Sequence, residues 1–200
     1  MGSLGSADFK ELKEFQKKLQ QLEDDRAEFC ERCSKALAGR LLAMVIKRTP
    51  VGKKPKFDDL FEGEKVDKVT GESGKTKTFL TAKGAQYEKY WDGYIGGNLR
   101  RNWTGGKSTR ATTYANSLPV YKNGDNYTIV VENPTEYASY VEFGHRQTPG
   151  KYVPAIGKRL KASWVNGKYM LTLSEKDLES MAPAILEKEL NKFLAEVFDE

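Results

Sequence analysis

Apolar residues at Leu12, Phe15, Leu19, Leu22, Phe29, Cys33, Leu37, Leu41 and Met44 recur in steps of three, four or seven residues. This period predicts one long amphipathic helix within residues 7–52, opened by Asp8 with Glu11 as its capping-box partner and ended at Thr49-Pro50. At 1.5 Å per residue, about 40 residues extend roughly 60 Å. One small domain cannot cover so long a stripe, so Leu12, Phe15, Leu19 and Leu22 are expected to meet another subunit. The alternative is two shorter helices broken near Asp24-Asp25.

Residues 53–96 carry no sustained period and are rich in Lys, Asp, Glu, Gly and Thr, which reads as an insertion or extended loop. The remainder of the core is expected in residues 97–200, forming a single domain with the first helix. Leu118 to Tyr121 and Tyr127 to Glu132 are β-rich runs around Asn123-Gly124, the signal of a tight antiparallel turn. A second hairpin is expected around Asn166-Gly167, pairing Trp164-Val165 with Tyr169-Met170-Leu171. Tyr137, Ala138, Tyr140 and Val141 have helical spacing, and Gly144 ends that short helix with positive φ. The same spacing predicts that Tyr137, Tyr140, Val141 and Phe143 are largely buried. Ser174 and Asp177 open a final helix whose apolar face includes Leu178, Met181, Ile185 and Phe193, with Pro183 marking a kink or restart. Helix, insertion, antiparallel hairpins and helix make an α+β order.

With 200 residues, 38% hydrophobic and mean hydropathy −0.65, the chain is poor in core material for its length, which favours an elongated or oligomeric protein. It shows no apolar run of membrane-spanning length and no basic-then-apolar leader, so synthesis and assembly in the cytoplasm are expected, without a membrane. Met1–Ser6 reads as small polar padding such as a tag. The net charge of +5 is unevenly spread. Gly93–Gly124 and Phe143–Ser174 contain no Asp or Glu, and they carry Arg100, Arg101, Lys158 and Arg159 among other bases. Such segments could face a polyanion, or form a solvated basic face.

No stretch of the sequence completes a motif for catalysis or phosphate binding. Val69–Thr76 ends in Gly-Lys-Thr like a phosphate-binding loop, but Val69 stands where that loop requires glycine. Gly105-Gly106-Lys107-Ser108 fails in the same way at Arg101. Cys30 and Cys33 share a helix face but lack the further ligands a zinc site needs, which makes them packing residues. His145 is the single histidine, and no nucleophile motif accompanies it. The reading is of no enzyme, no cofactor, no metal and no catalytic residue.

Tyr137-Ala138-Ser139-Tyr140-Val141-Glu142-Phe143-Gly144 follows Val131-Glu132-Asn133. This run resembles the central signature of a family of phage neck and minor tail components, and Trp164–Leu171 and the final helix are similar to members from Gram-positive hosts. Upstream, Thr49-Pro50-Val51 and Gly97-Asn98-Leu99-Arg100 resemble two further family motifs, here separated by far more than the usual few residues. The resemblance implies a structural subunit of a neck or tail-completion ring at the head-tail junction of the virion, of six subunits by preference or twelve. It implies neighbours among the head-closure and tail-terminator proteins. Weak, sequence-independent contact with double-stranded DNA in the lumen is then expected of Arg100, Arg101, Lys158 and Arg159. Glu142 is expected to be structural, accepting hydrogen bonds from backbone or from an arginine such as Arg100. A basic nucleic-acid-binding protein acting as a monomer or small oligomer is the alternative.

Overall fold

The computed structural model describes residues 9–198; the expected cap at Asp8 and the padding at Met1–Ser6 lie outside them. The described chain is α+β, with helices and two-stranded antiparallel ribbons. It divides into two compact units, one from residues 9–47, 108–132 and 171–198, the other from 48–107 and 133–170. Elements are numbered in chain order. Among the described residues no helix is long and apolar enough to cross a membrane.

In the first unit, α1 (Lys10–Asp24) and α2 (Arg26–Arg48) are separate helices, so the single long helix gives way to the two-helix alternative. The break is slight. The Asp25 N–H still donates to the Gln21 carbonyl at 2.9 Å, and the Phe29 N–H donates to the Asp25 carbonyl at 3.0 Å. Three successive acids, Glu23, Asp24 and Asp25, crowd like charge where aspartate already has poor helix propensity. No residue of α1 is buried, whereas α2 buries Cys33, Ala38, Leu42 and Val45. At Gly39 of α2 an added Cβ would press on the Thr112 backbone, so glycine lets α6 (Ala111–Ser117) approach closely.

The last helix, α8 (Met170–Phe198), starts before Ser174 and runs through Pro183 without a restart. Ser174 is fully buried and so cannot serve as a solvent-facing cap. Phe193 of α8 stacks on Phe29 with ring centroids 4.7 Å apart, and Arg32 lies over the Phe193 ring while bonding Glu196 at 2.8 Å. Farther along, Phe15 and Phe198 approach to 6.2 Å, and the Lys18 ammonium donates to the Phe198 carbonyl at 3.0 Å. The Asn-Gly hairpin forms as β3 (Tyr121–Asn123) and β4 (Asn126–Thr128), shorter than expected, with Gly124 at φ 61°.

In the second unit, residues 53–96 hold α3 (Phe57–Leu60), β1 (Val66–Thr70), β2 (Thr76–Leu80) and α4 (Ala82–Trp91). The antiparallel hairpin β1–β2 is exposed along nearly its whole length. The two helices flanking it build a small core: Phe57 stacks on Phe61, and Tyr87 meets Phe57 edge-on, with Leu60 and Trp91 packed against them. Polar bonds tie this segment to the loop around residues 152–157. Gln86 donates to the Pro154 carbonyl at 2.7 Å and the Trp91 indole N–H to the Ala155 carbonyl at 2.6 Å. The Thr81 hydroxyl caps α4 by accepting the Gly84 N–H. The unit is completed by α5 (Asn98–Asn102), α7 (Ala138–Phe143), β5 (Gly144–Arg146), β6 (Tyr152–Val153), β7 (Lys158–Arg159) and β8 (Trp164–Asn166).

β6 pairs with β7, and β8 pairs with β5. The hairpin expected around Asn166-Gly167 therefore does not form: Tyr169 turns the chain with φ 49°, and Met170 enters α8.

Tyr87 is 5% exposed and its hydroxyl donates to the Pro55 carbonyl at 2.7 Å. Tyr87→Ala is expected to destabilise the protein by about 3–5 kcal/mol, the usual range for emptying an aromatic core position. Urea unfolding monitored by fluorescence measures this; a change under about 1 kcal/mol contradicts a packed core in residues 53–96.

Candidate functional site

The sequence motifs that lie far apart along the chain converge in the second unit. Thr49 is fully buried, and its hydroxyl accepts the Trp103 indole N–H at 2.8 Å. Its carbonyl accepts both Nε and Nη2 of Arg100, at 3.0 and 2.5 Å. Gly97 precedes α5 with φ 87°, and its side lies against Val51. At Gly96 an added Cβ would overlap the Gly52 carbonyl, so the two ends of the 53–96 segment touch backbone to backbone. That contact brings Thr49-Pro50-Val51 beside Gly97-Asn98-Leu99-Arg100.

Asn133 adds the third piece. Its side chain donates to the Leu99 carbonyl at 2.8 Å and accepts the Thr135 N–H at 3.1 Å, a local turn that leads into α7. The end of α7 is then crossed by the chain after β8. The Lys168 N–H donates to the Val141 carbonyl at 2.8 Å, and the Tyr169 N–H to the Glu142 carbonyl at 3.0 Å. Gly167 passes so close that a Cβ would overlap the Glu142 and Phe143 backbone. Gly144 has φ 86° and ψ 174°, a region open to glycine alone, and a Cβ there would strike the Val165 carbonyl. Positive φ at Gly144 was expected; the extended ψ follows from its role as the first residue of β5, paired to Asn166.

This crossing decides which way the signature faces. Glu142 is 6% exposed, while Tyr140 and Phe143 are each 59% exposed and Tyr137 is 43% exposed. The expectation that Tyr137, Tyr140 and Phe143 are buried is therefore reversed, with Val141 half-buried and Ala138 half-buried on the inner side. Spacing by three marks one face of a helix without saying which face turns inward, and here the strand crossing at Gly167 takes the inner side. The exposed row borders a cleft of about 530 Å³ lined by Val51, Tyr94, Ile95, Leu99, Tyr137 and Val141 among others. Ile95 at its rim is 78% exposed. The cleft was missed from sequence because its walls come from three separated segments.

Of the basic residues expected along a DNA path, Arg100 is half-buried and donates to the Thr49 carbonyl. Arg101, Lys158 and Arg159 are exposed while donating to the carbonyls of Gly96, Asp59 and Gly150. Of the expected interface residues in α1, Leu12, Phe15 and Leu19 are exposed and Leu22 is half-buried. The two units differ in charge. Residues 48–107 and 133–170 hold 19 Lys and Arg against 10 Asp and Glu, net +9, and the rest of the sequence holds 14 against 18, net −4.

His145 in β5 lies 5.8 Å from the Tyr140 ring, and its buried Nδ1 has no hydrogen-bond partner. Gly74-Lys75-Thr76 falls at the tip of the β1–β2 hairpin, where the Gly71 N–H donates to the Lys75 carbonyl, rather than at the start of a helix. Among the described residues no group of three or more His, Cys, Asp or Glu could hold a metal ion. Burial, and then neighbouring Cys30, pushes the Cys33 thiol above its ordinary value, which keeps it protonated and unreactive. Iodoacetamide at neutral pH is expected to modify half-exposed Cys30 before Cys33; equal rates by peptide mass mapping contradict this packing.

Gly144→Ala and Gly124→Ala separate conformational strain from close approach, since Gly124 also has positive φ but open space around it. Gly124→Ala is expected to cost about 1 kcal/mol, and Gly144→Ala clearly more, read as the difference in thermal midpoints. Equal losses contradict the strand crossing as the reason for that glycine.

Residues 13–144 match the model of a family described as "Bacteriophage HK97-gp10, putative tail-component" (HK97-gp10-like). No curated protein and no solved structure matches the chain.

Proposed function

Because the chain belongs to the HK97-gp10-like family of phage tail components, we propose that it is a structural, non-enzymatic subunit of a ring joining head to tail in a long-tailed phage particle. One observation carries this reading: the family-like signature holds its glutamate inside and presents Tyr137, Tyr140 and Phe143 outside. A solitary protein gains by covering such side chains, roughly 1.5–3 kcal/mol for each one fully buried. A subunit keeps them for its neighbours. The exposed stripe of α1 supports the same reading.

In this reading the ring has six subunits, or twelve, and its other neighbours are head-closure and tail-terminator proteins. Double-stranded DNA passes through the lumen. Arg101, Lys158 and Arg159 are suited to weak phosphate contact, being exposed and cationic, and such contact carries no sequence preference. The net charge of +9 on the second unit also favours a second reading, a basic nucleic-acid-binding protein acting as a monomer or small oligomer. That reading requires tight, steeply salt-dependent DNA binding by the free chain.

Removal of the coding sequence from the phage genome that carries it is the decisive test. Filled heads and finished tails are expected to accumulate unjoined, as seen by negative-stain imaging. Joined, infectious particles made without the protein overturn the proposal.

A further inference from the structure

Within the second unit, residues 144–166 form one continuous antiparallel ribbon. β5 pairs with β8 and β6 with β7. Between these pairings the Gln147 N–H donates to the Ser163 carbonyl at 2.8 Å and the Leu160 N–H to the Lys151 carbonyl at 2.9 Å, which joins them into a single ladder. The ribbon contains no Asp or Glu, whereas Arg146, Lys151, Lys158, Arg159 and Lys161 all lie exposed along it. We propose that this ribbon is the surface that meets the phosphate backbone of double-stranded DNA, with Arg146, Lys151 and Lys161 as its main contacts.

Two observations set these three bases apart. The first is that nothing neutralises them: among the described residues no ion pair engages Arg146, Lys151 or Lys161, whereas Lys65 of the same unit pairs with Glu88. Lys158 stands at the ribbon's margin, donating to the Asp59 carbonyl beside the carboxylates of Asp58 and Glu62. The second is that the ribbon is held at both ends. Just past its root the Lys168 and Tyr169 N–H groups bond the end of α7, and at its tip the Pro154 and Ala155 carbonyls accept from Gln86 and Trp91. Its bases are therefore presented on backbone that is already ordered, and little of their attraction for an anion is lost to ordering it.

The spacing suits the backbone of a duplex. At about 3.3 Å per residue, Arg146 and Lys151 stand roughly 15 Å apart along one strand, and Lys161 lies on the opposite strand between them. Duplex DNA offers one negative charge per about 1.7 Å of its axis, so three bases spread in this way meet phosphates without any base edge being read. A single strand would call instead for a row of rings on which successive bases stack. The ribbon does not supply one: Trp164 is exposed opposite Arg146, but Tyr152 is bonded by Gln86 and borders the acidic rim of Asp58, Asp59 and Glu62. The inference rests on the function proposed above in taking the polyanion to be DNA, and it moves the contact from Arg101 to the ribbon.

The test uses the full chain and two triple variants. One removes the ribbon's bases, Arg146→Gln with Lys151→Gln and Lys161→Gln. The other removes as many from the β1–β2 hairpin of the same unit, Lys68→Gln with Lys75→Gln and Lys77→Gln, where Asp67 and Glu72 are interleaved with them. All six side chains are exposed, so circular dichroism melts are expected to match the parent. Binding to short labelled duplexes of two unrelated sequences is read by fluorescence anisotropy over a range of salt. The parent is expected to bind both sequences alike at low salt. The ribbon variant is expected to lose roughly tenfold or more in affinity, and its plot of log affinity against log salt to be shallower by roughly 2.7, since each phosphate contact contributes about 0.9. The hairpin variant is expected to stay close to the parent on both counts. Acetylation of the parent, free of any folding artefact in the variants, is expected to slow at Lys151 and Lys161 when duplex is added and to proceed unchanged at Lys75 and Lys77, as read by peptide mass mapping. The assignment is overturned by a parent that binds no duplex at low salt, by equal losses in the two variants, by a single strand bound more tightly than the duplex, or by protection at the hairpin lysines instead. If heads and tails join without the chain while the ribbon variant alone loses DNA, the ring fails and the ribbon stands. If joining requires the chain while the ribbon variant binds DNA like the parent, the ribbon fails and the ring stands.

Discussion

The second unit is organised around the guanidinium of Arg100 and the backbone carbonyl of Thr49. Two N–H groups of one cation converge on one oxygen, at 3.0 and 2.5 Å, beside a fully buried threonine whose hydroxyl holds the Trp103 indole. A charge-assisted bond of this kind is about twice as strong as a neutral one. It fixes the residues that follow Thr49 against α5, and α5 in turn is bonded through the Leu99 carbonyl to Asn133. The chain reaches α7 three residues after the Thr135 N–H that Asn133 holds. This polar anchor thus fixes where α7 begins, and the crossing at Gly167 then sets which way its aromatic row faces.

Within that frame, residues 53–96 behave as a closed excursion. Gly52 and Gly96 meet at van der Waals range with no room for a side chain on Gly96, so the excursion leaves and returns at one point. The entropy of closing such a loop grows only slowly with its length, roughly 0.6 kcal/mol for each doubling. A longer or shorter segment could occupy the same place without moving Thr49 or Arg100. This excursion offsets part of its own cost through the rings of Phe57, Phe61 and Tyr87 and the indole bond of Trp91.

Much of this was legible in the sequence, and the failures have physical causes. The α+β class, the Asn123-Gly124 turn, the end of α7 at Gly144 and the exposed residues of α1 all follow from local chemistry that needs no partner. The helices in 53–96 left a weak trace, the aromatic pairs Phe57 with Phe61 and Tyr87 with Trp91, each four residues apart, which is too short a run for periodicity to register. Asn166-Gly167 signals a turn but not what pairs with it: β8 chose β5 because the glycine also had to cross the end of α7. Burial of the signature aromatics was misjudged because one helical face looks the same from sequence whichever way it points. The cleft involves backbone from three distant segments, and no local pattern encodes that.

The interleaving of the two units along the chain has a consequence for synthesis. Every residue of the second unit is translated before Leu171, while the first unit is opened by α1 and α2 and must wait for α8. Phe29 and Phe15 therefore emerge from the ribosome long before Phe193 and Phe198, the rings they pack against. The cleft and the aromatic row can therefore be finished on a nascent chain whose α1 is still without the support of Phe198. The order of manufacture thus lets one unit finish folding while the other still waits for its closing helix.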